Sequence, residues 1–441
     1  FALVENFWQT GYGMPGFTLL GDRVIRLPFI VHTSYGHEIL HNWWGNGVFV
    51  DYEGGNWCEG LTVYGADYLY KERESPAAAR DYRRAQLVEY RNYVRAGRDF
   101  PLTEFRERHD ASSAAIGYGK SMMLYHMVRG ELGEERFWNC LARFYDGHLF
   151  RRASWSDVLA AFAADAPFDG AAFYDQWIAR AGAPALRLGA TDLLPQPNGT
   201  YELAYVLEQE TPLYSLTVPM RVTYADRPAD NWTVRLEEGT LNGTRSLAGM
   251  PRALEVDPDF DLFRRLHPAE VPAVLSRIFG ADSMTFAISG EEPAEVREAF
   301  RAVAGEAGAA RPEAVSDAGT IALGDLTAGG SWIFGEPRWL DRLRPLLPDG
   351  FSIEPDGFRV EGVLHERAKS TLVLALPNPQ LPEEAIGLVL SGEAQAVPAV
   401  WRKLPHYGKY SYLVFHGTEN VAKGIWEADR SPLKVVWEEG S

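Results

Sequence analysis

The chain has 441 residues, 46% hydrophobic and 23% charged, with a formal net charge of −17 from 43 Lys+Arg against 60 Asp+Glu. That length sets an expectation of two to four domains, and the composition is not that of a disordered protein. The acidic balance argues against a nucleic-acid partner, which needs a basic footprint, and two cysteines, Cys58 and Cys140, cannot build a disulfide framework or a thiolate metal site. No run approaches the roughly 18 to 20 apolar residues that cross a bilayer, so no transmembrane segment is expected in this fragment. The numbering opens on Phe1, within residues that already read as a strand. This implies a start inside a longer protein, and the compartment, cell envelope or cytoplasm, stays open.

In chain order, residues 1–6 and 17–20 read as extended segments separated by a turn at 11–16. A helix is expected from about 28 to 45. Segments 59–72, 76–96, 111–132, 134–146, 154–164 and 169–181 carry apolar residues at helical spacing. Ser154 and Asp157 stand at capping-box distance. The Gly- and Pro-punctuated stretch 182–199 reads as a boundary, and 201–208, 214–223 and 232–237 alternate like strands of a small β-sandwich. Beyond it, strand-like runs at 284–288, 320–323, 331–334, 371–376, 386–390 and 410–415 interleave with helix-like runs at 294–303, 337–347 and 397–404. That alternation predicts an α/β domain with a largely parallel sheet. The predicted fold class is multidomain α+β: a mostly helical domain over 1–185, a β-sandwich over 186–262 and an α/β domain of unknown role and partner over 263–441.

The chemistry sits in Gly36-His37-Glu38-Ile39-Leu40-His41. On a helix, residues i and i+4 share a face, so both imidazoles can reach one cation, while Glu38 can stand beside an attacking water. Two incidental histidines would be the bland account. Against it, Asn56-Trp57-Cys58-Glu59 supplies a carboxylate 18 positions after His41, at the head of another helix. Two His and one Glu suit zinc and leave a fourth position open, the mark of a catalytic site. His32 reads as a histidine without a metal, because a fourth protein ligand would close that position. Trp43 and Trp44 read as core packing behind the helix. Asp51 and Asp67 are equal candidates to orient a ligand imidazole. Lys403, with His406 and Lys409 of the polar-aromatic run 406–410, could form an anion or partner site, but the group reads rather as a solvated helix-to-strand loop.

This region resembles the aminopeptidase N and leukotriene hydrolase family of gluzincins, whose pattern is H-E-x-x-H-x18-E followed by Gly. Trp43-Trp44-Gly45-Asn46 matches its W-F/W-G-N, and Trp57-x-Glu59-Gly60 matches part of its W-x-N-E-G. Here 17 residues, not 18, separate His41 from Glu59. The deletion falls in or near 51–56, where Gly54 and Gly55 can absorb it. Tyr118-Gly119-Lys120 resembles Y-x-K-G, and Val4-Glu5-Asn6 resembles the end of G-x-M-E-N, with Ala2 and Val4 replacing Gly and Met. The resemblance extends to about residue 260; the region 263–441 does not resemble the helical C-terminal domain of the better-known members.

The resemblance implies a thermolysin-like catalytic fold with one zinc ion on His37, His41 and Glu59, and Glu38 as general base. It further implies Tyr118 as oxyanion donor, a contribution on the order of 3 kcal/mol, and Glu5 as the anchor of a peptide substrate's α-amino group. The implied activity is that of a zinc metallopeptidase of aminopeptidase type. Alternatives are an endopeptidase or an ester or epoxide hydrolase on the same centre, or a non-enzymatic peptidase-like scaffold.

Overall fold

The first residues build a three-stranded sheet in which Phe17–Gly21 lies centrally, parallel to Ala2–Asn6 and antiparallel to Gly11–Met14. The stretch expected as a turn is therefore mostly strand. The reversal needs only Pro15 and Gly16, the latter at φ +81°. Thr18 and Leu20 are fully buried on the face that also carries Gly11 and Gly13. The computed structural model describes residues 1–28, 30–95, 97–164, 168–307, 315–317, 329–337, 340–428 and 430–437. It divides into two units, Phe1–Leu266 with Pro432–Ser441, and His267–Ser431.

In the first unit the helix expected over 28–45 is confined to Ser34–Leu40, preceded by a single 3-10 turn at Ile30–His32. Cys58–Val63 runs through a wide π turn at Tyr64–Tyr68 into Leu69–Glu74. Pro76–Tyr93 starts on Ser75, whose hydroxyl accepts the Ala78 N–H at 3.0 Å, with proline in the first turn where its missing N–H costs nothing. Ala111–Ala114, a second π turn at Ala115–Lys120 and Ser121–Leu132 form one continuous rod. Glu134–His148 follows, then Trp155–Ala163, capped reciprocally by Ser154 and Asp157 as their spacing predicts. Gly170–Phe173 passes into a third π turn at Tyr174–Ile178. Trp57, Tyr64, Tyr125, Phe137 and Trp155 fill the core between these rods.

Two sheets follow in the same unit. Leu186–Pro195, Tyr201–Gln209 and Thr240–Leu247 make one; Leu216–Thr223, Asp230–Leu236, Ala253–Val256 and Lys434–Val436 make the other. Leu186–Pro195 lies inside the stretch that composition presents as a boundary. Its inward Leu186 and Leu188 are the signal that the surrounding Gly and Pro obscure. Val218, Met220 and Val222 alternate inward on the facing sheet. Lys434–Val436 pairs antiparallel with Ala253–Glu255, so this strand belongs to the first unit and the α/β part closes at Ser431.

The second unit holds a seven-stranded sheet in the order Val315–Asp317, Met284–Ile288, Gly330–Phe334, Ala385–Ser391, Ser370–Pro377, Tyr412–His416, Glu419–Gly424. The first four are parallel, but the last three join antiparallel, so the sheet is mixed, not largely parallel. Connection length decides this. Only residues 378–384 link Ser370–Pro377 to Ala385–Ser391, and a parallel crossover needs about a dozen. The strand-like run 320–323 lies outside the described residues. Within the stretch expected as a helix over 337–347, residues 338–339 lie outside the described residues, and from 340 the chain makes short turns at Leu340–Arg342 and Arg344–Leu346, where Pro345 and Pro348 interrupt it. Val373 and Ala375 face the helices Ala294–Ala307 and Val397–Lys403, while Leu372, Leu374 and Leu376 face Ile353 and Phe358. The fold class is thus mixed α+β with several sheets. Among the described residues, no helix is long and apolar enough to cross a membrane.

Candidate metal centre

His37 sits in the last turn of Ser34–Leu40 and His41 is its C-cap, so one helix face carries both rings, 4.8 Å apart. Their Nε2 atoms are 3.2 Å apart, and Glu59 Oε2 lies 3.4 Å from the first and 3.5 Å from the second. Zinc bonds of about 2.0–2.1 Å at tetrahedral angles hold ligand atoms roughly 3.3 Å apart. The three donors therefore stand at metal-ligand spacing, and they are the group among the described residues that could hold an ion.

The outward nitrogens are fixed as well. His37 Nδ1 lies 2.9 Å from Asp67 Oδ2, and His41 Nδ1 lies 3.0 Å from the Trp44 carbonyl oxygen. Both acceptors favour a proton on Nδ1 and leave the Nε2 lone pair facing inward. Asp67 belongs to the π turn Tyr64–Tyr68, whose extra residue rotates it toward the histidines. Asp51, the other candidate, accepts the Glu53 N–H and starts the turn Tyr52–Gly54. Gly55, at φ +102°, lies between that turn and the helix Cys58–Val63 that carries Glu59.

The electrostatics match. Burial opposes ionisation of Glu59, yet the two imidazoles hold its carboxyl at about 2. Burial likewise opposes the His37 cation, but Asp67 and Glu59 lift the ring to about 10. The pocket thus favours a positive charge between its donors, which a divalent cation supplies by displacing the proton.

Glu38 is 8% exposed, and burial pushes its carboxyl up, opposed by His37 and His41. It lies under Gly11–Met14 so closely that a Cβ at Gly11 would be 2.4 Å from Oε1. Tyr118 stacks on His37 at 6.4 Å and 17°, with Phe105 edge-on at 5.9 Å. Burial and the Glu59 charge push its phenol far up, so it keeps the proton a hydrogen-bond donor needs.

Glu5 is not brought into this group. The register Glu5–Leu20–Gly11 puts it on the same sheet face as Gly11 but two strands away, about 10 Å. Its carboxylate meets Arg26 at 2.9 Å in an exposed ion pair. His32 is exposed and packs against Tyr70, away from the donors. Trp44 is core, against Trp57, Phe144 and Tyr145, but Trp43 is 45% exposed. The helix ends at Leu40, and the turn after it carries Trp43 outward. His406, in the 3-10 turn Leu404–Tyr407, and Lys409 are exposed, whereas Lys403 ends the helix Val397–Lys403, half-buried, and donates to the Thr418 carbonyl oxygen. Two contributors escaped the sequence reading. The Trp44 carbonyl has no side-chain signature. Gly11 and Gly13, spaced two apart so that both face the helix, left a readable one.

The donor set is one that could hold a metal ion. Residues 30–177 match the Peptidase family M1 domain, a segment that contains His37, Glu38, His41, Glu59 and Tyr118. A crystal structure of Legionella pneumophila aminopeptidase A in complex with aspartic acid is similar at 14% identity and a TM-score of 0.44, covering 59% of this chain and 31% of that chain. A likeness that slight carries no argument. No curated protein matches the chain.

Proposed function

We propose that this chain is a zinc-dependent aminopeptidase, with its thermolysin-like catalytic part over 1–185, the sandwich over 186–262 and an α/β part from 263. The observation that carries the reading is the convergence of His37 Nε2, His41 Nε2 and Glu59 Oε2 at 3.2–3.5 Å. These three residues would hold one zinc ion, which when bound supplies Lewis acidity that polarises a peptide carbonyl and acidifies water. Glu38 takes the proton of the attacking water and passes it to the leaving amine; its raised proton affinity suits both transfers. Tyr118 donates its O–H to the developing oxyanion. Glu5 receives the substrate's ammonium once it releases Arg26.

That last step is the reason for a second reading. In this conformation the Glu5 carboxylate is taken up by Arg26, which favours an endopeptidase on the same centre. Turnover of one peptide with a free or an acetylated amino terminus, with and without chelator, separates the possibilities. The aminopeptidase reading requires chelator-sensitive cleavage of the free form only. Equal cleavage of both removes Glu5, and chelator-resistant cleavage removes the metal.

A further inference from the structure

Two residues beyond Tyr118, Lys120 is 1% exposed, yet carries an ammonium. It donates to the carbonyl oxygens of Arg180 at 3.1 Å and Gly182 at 3.4 Å, and sits 5.7 Å over the Phe263 ring. Burying a cation against carbonyls without a contacting carboxylate is costly, and a neutral side chain would fill the same space. The carbonyls belong to the segment between the π turn Tyr174–Ile178 and the strand Leu186–Pro195, with Gly182 at φ +96°. Positions two apart on a helical turn point to nearly opposite sides. The turn Ala115–Lys120 is therefore held from both flanks, by Tyr118 against His37 and by Lys120 against residues 180–182. A π turn is an irregular stretch of helix whose placement depends on such outside contacts.

We propose that Lys120 is a positioning residue: by tying the π turn to the carbonyls of Arg180 and Gly182, it fixes the Tyr118 phenol over the metal-ligand cluster. The inference rests on the proposed donor role of Tyr118. Displacing a catalytic group by about 1 Å can cost on the order of 100-fold in rate. The charged and titratable groups around Lys120 are Asp99, which supports its charge and is bonded by Tyr90, and Arg180, which opposes it and lies over Tyr214. Burial outweighs Asp99 and brings Lys120 down to about 8, so the tie weakens as pH passes that value.

The test compares Lys120→Met, Tyr118→Phe and the double variant. Lys120→Met should lower kcat by about 10- to 100-fold with KM little changed. The double variant should be no slower than Tyr118→Phe alone. In the metal-free protein, amide exchange over 115–120 should quicken about tenfold, while the helix Trp155–Ala163 keeps its protection. Multiplying losses in the double variant, or unchanged exchange over 115–120, would overturn the proposal. If Tyr118→Phe hydrolyses like the unmodified protein, the donor role fails, and the exchange data alone judge the tie. Should Lys120→Met not fold, exchange in the unmodified protein from pH 7 to 9 decides. Protection over 115–120 must fall relative to Trp155–Ala163 with a midpoint near 8; parallel behaviour contradicts the tie.

Discussion

Asp67 Oδ2 lies 2.9 Å from His37 Nδ1, so a carboxylate on one helix sets the ring orientation of a candidate metal donor on another. This contact makes His37 a better electron donor at Nε2 and fixes its tautomer. Asp67→Asn keeps the shape and removes the charge. It should weaken zinc binding by about 10- to 100-fold, read by competition with a chromogenic chelator. Unchanged affinity would reduce Asp67 to a packing residue.

The same pair sets a pH dependence. The folded value of His37, about 10, is above its ordinary 6.5, so its contribution to the stability of the metal-free protein is complete below 6.5 and lost as pH rises through 10. Glu59, at about 2, contributes fully above 4.5 and loses that contribution as pH falls through 2. The contribution of this pair to metal-free stability should peak between pH 4.5 and 6.5. At pH 7 to 9 zinc must displace the His37 proton. Calorimetric zinc titrations in buffers of different ionisation enthalpy should report about one proton released per ion; none released would mean a neutral His37.

Gly11→Ala should damage the site without removing the metal. Its Cβ would fall 2.4 Å from Glu38 Oε1, so strand or base must move. A loss of turnover on the order of 10- to 100-fold with zinc content retained is expected. Gly130→Ala is the control: it sits in the helix Ser121–Leu132 with open space around it and should stabilise by about 0.5–1 kcal/mol.

Arg264 and Asp257 form a buried pair at 2.8 Å, 2% and 0% exposed. Burial lifts Asp257 to about 6 against the pull of Arg264. Arg264→Met would remove the counter-charge, leaving the carboxylate to the Asp261 and Leu262 N–H groups, and should cost about 3–5 kcal/mol at pH 7, measured by urea unfolding. A cost under about 1 kcal/mol would mean the carboxylate simply protonates at little expense.

The grouping of His37, His41 and Glu59 was legible because its information is local. An i, i+4 pair needs only a helix, and Glu59 is flanked by Trp57 and Gly60. The Ser154–Asp157 cap was legible for the same reason. Where the outcome depends on partners distant in the chain, sequence was insufficient. Asp51 and Asp67 looked equivalent until a π turn rotated Asp67 inward. Residues 11–14 looked like a turn because glycine serves both turns and close approaches, and only Glu38 beneath them reveals which. The antiparallel half of the second sheet follows from loop lengths that strand-helix alternation conceals.

A zinc centre on His37, His41 and Glu59 served by Glu38 is tested most directly by one paired measurement. Zinc content and peptide turnover are determined on the unmodified protein and on Glu38→Gln. The account predicts one zinc per chain in both, with turnover falling about 10²- to 10⁴-fold in the variant. Undiminished turnover in Glu38→Gln, or an unmodified protein that cleaves peptides while binding no zinc, would contradict it.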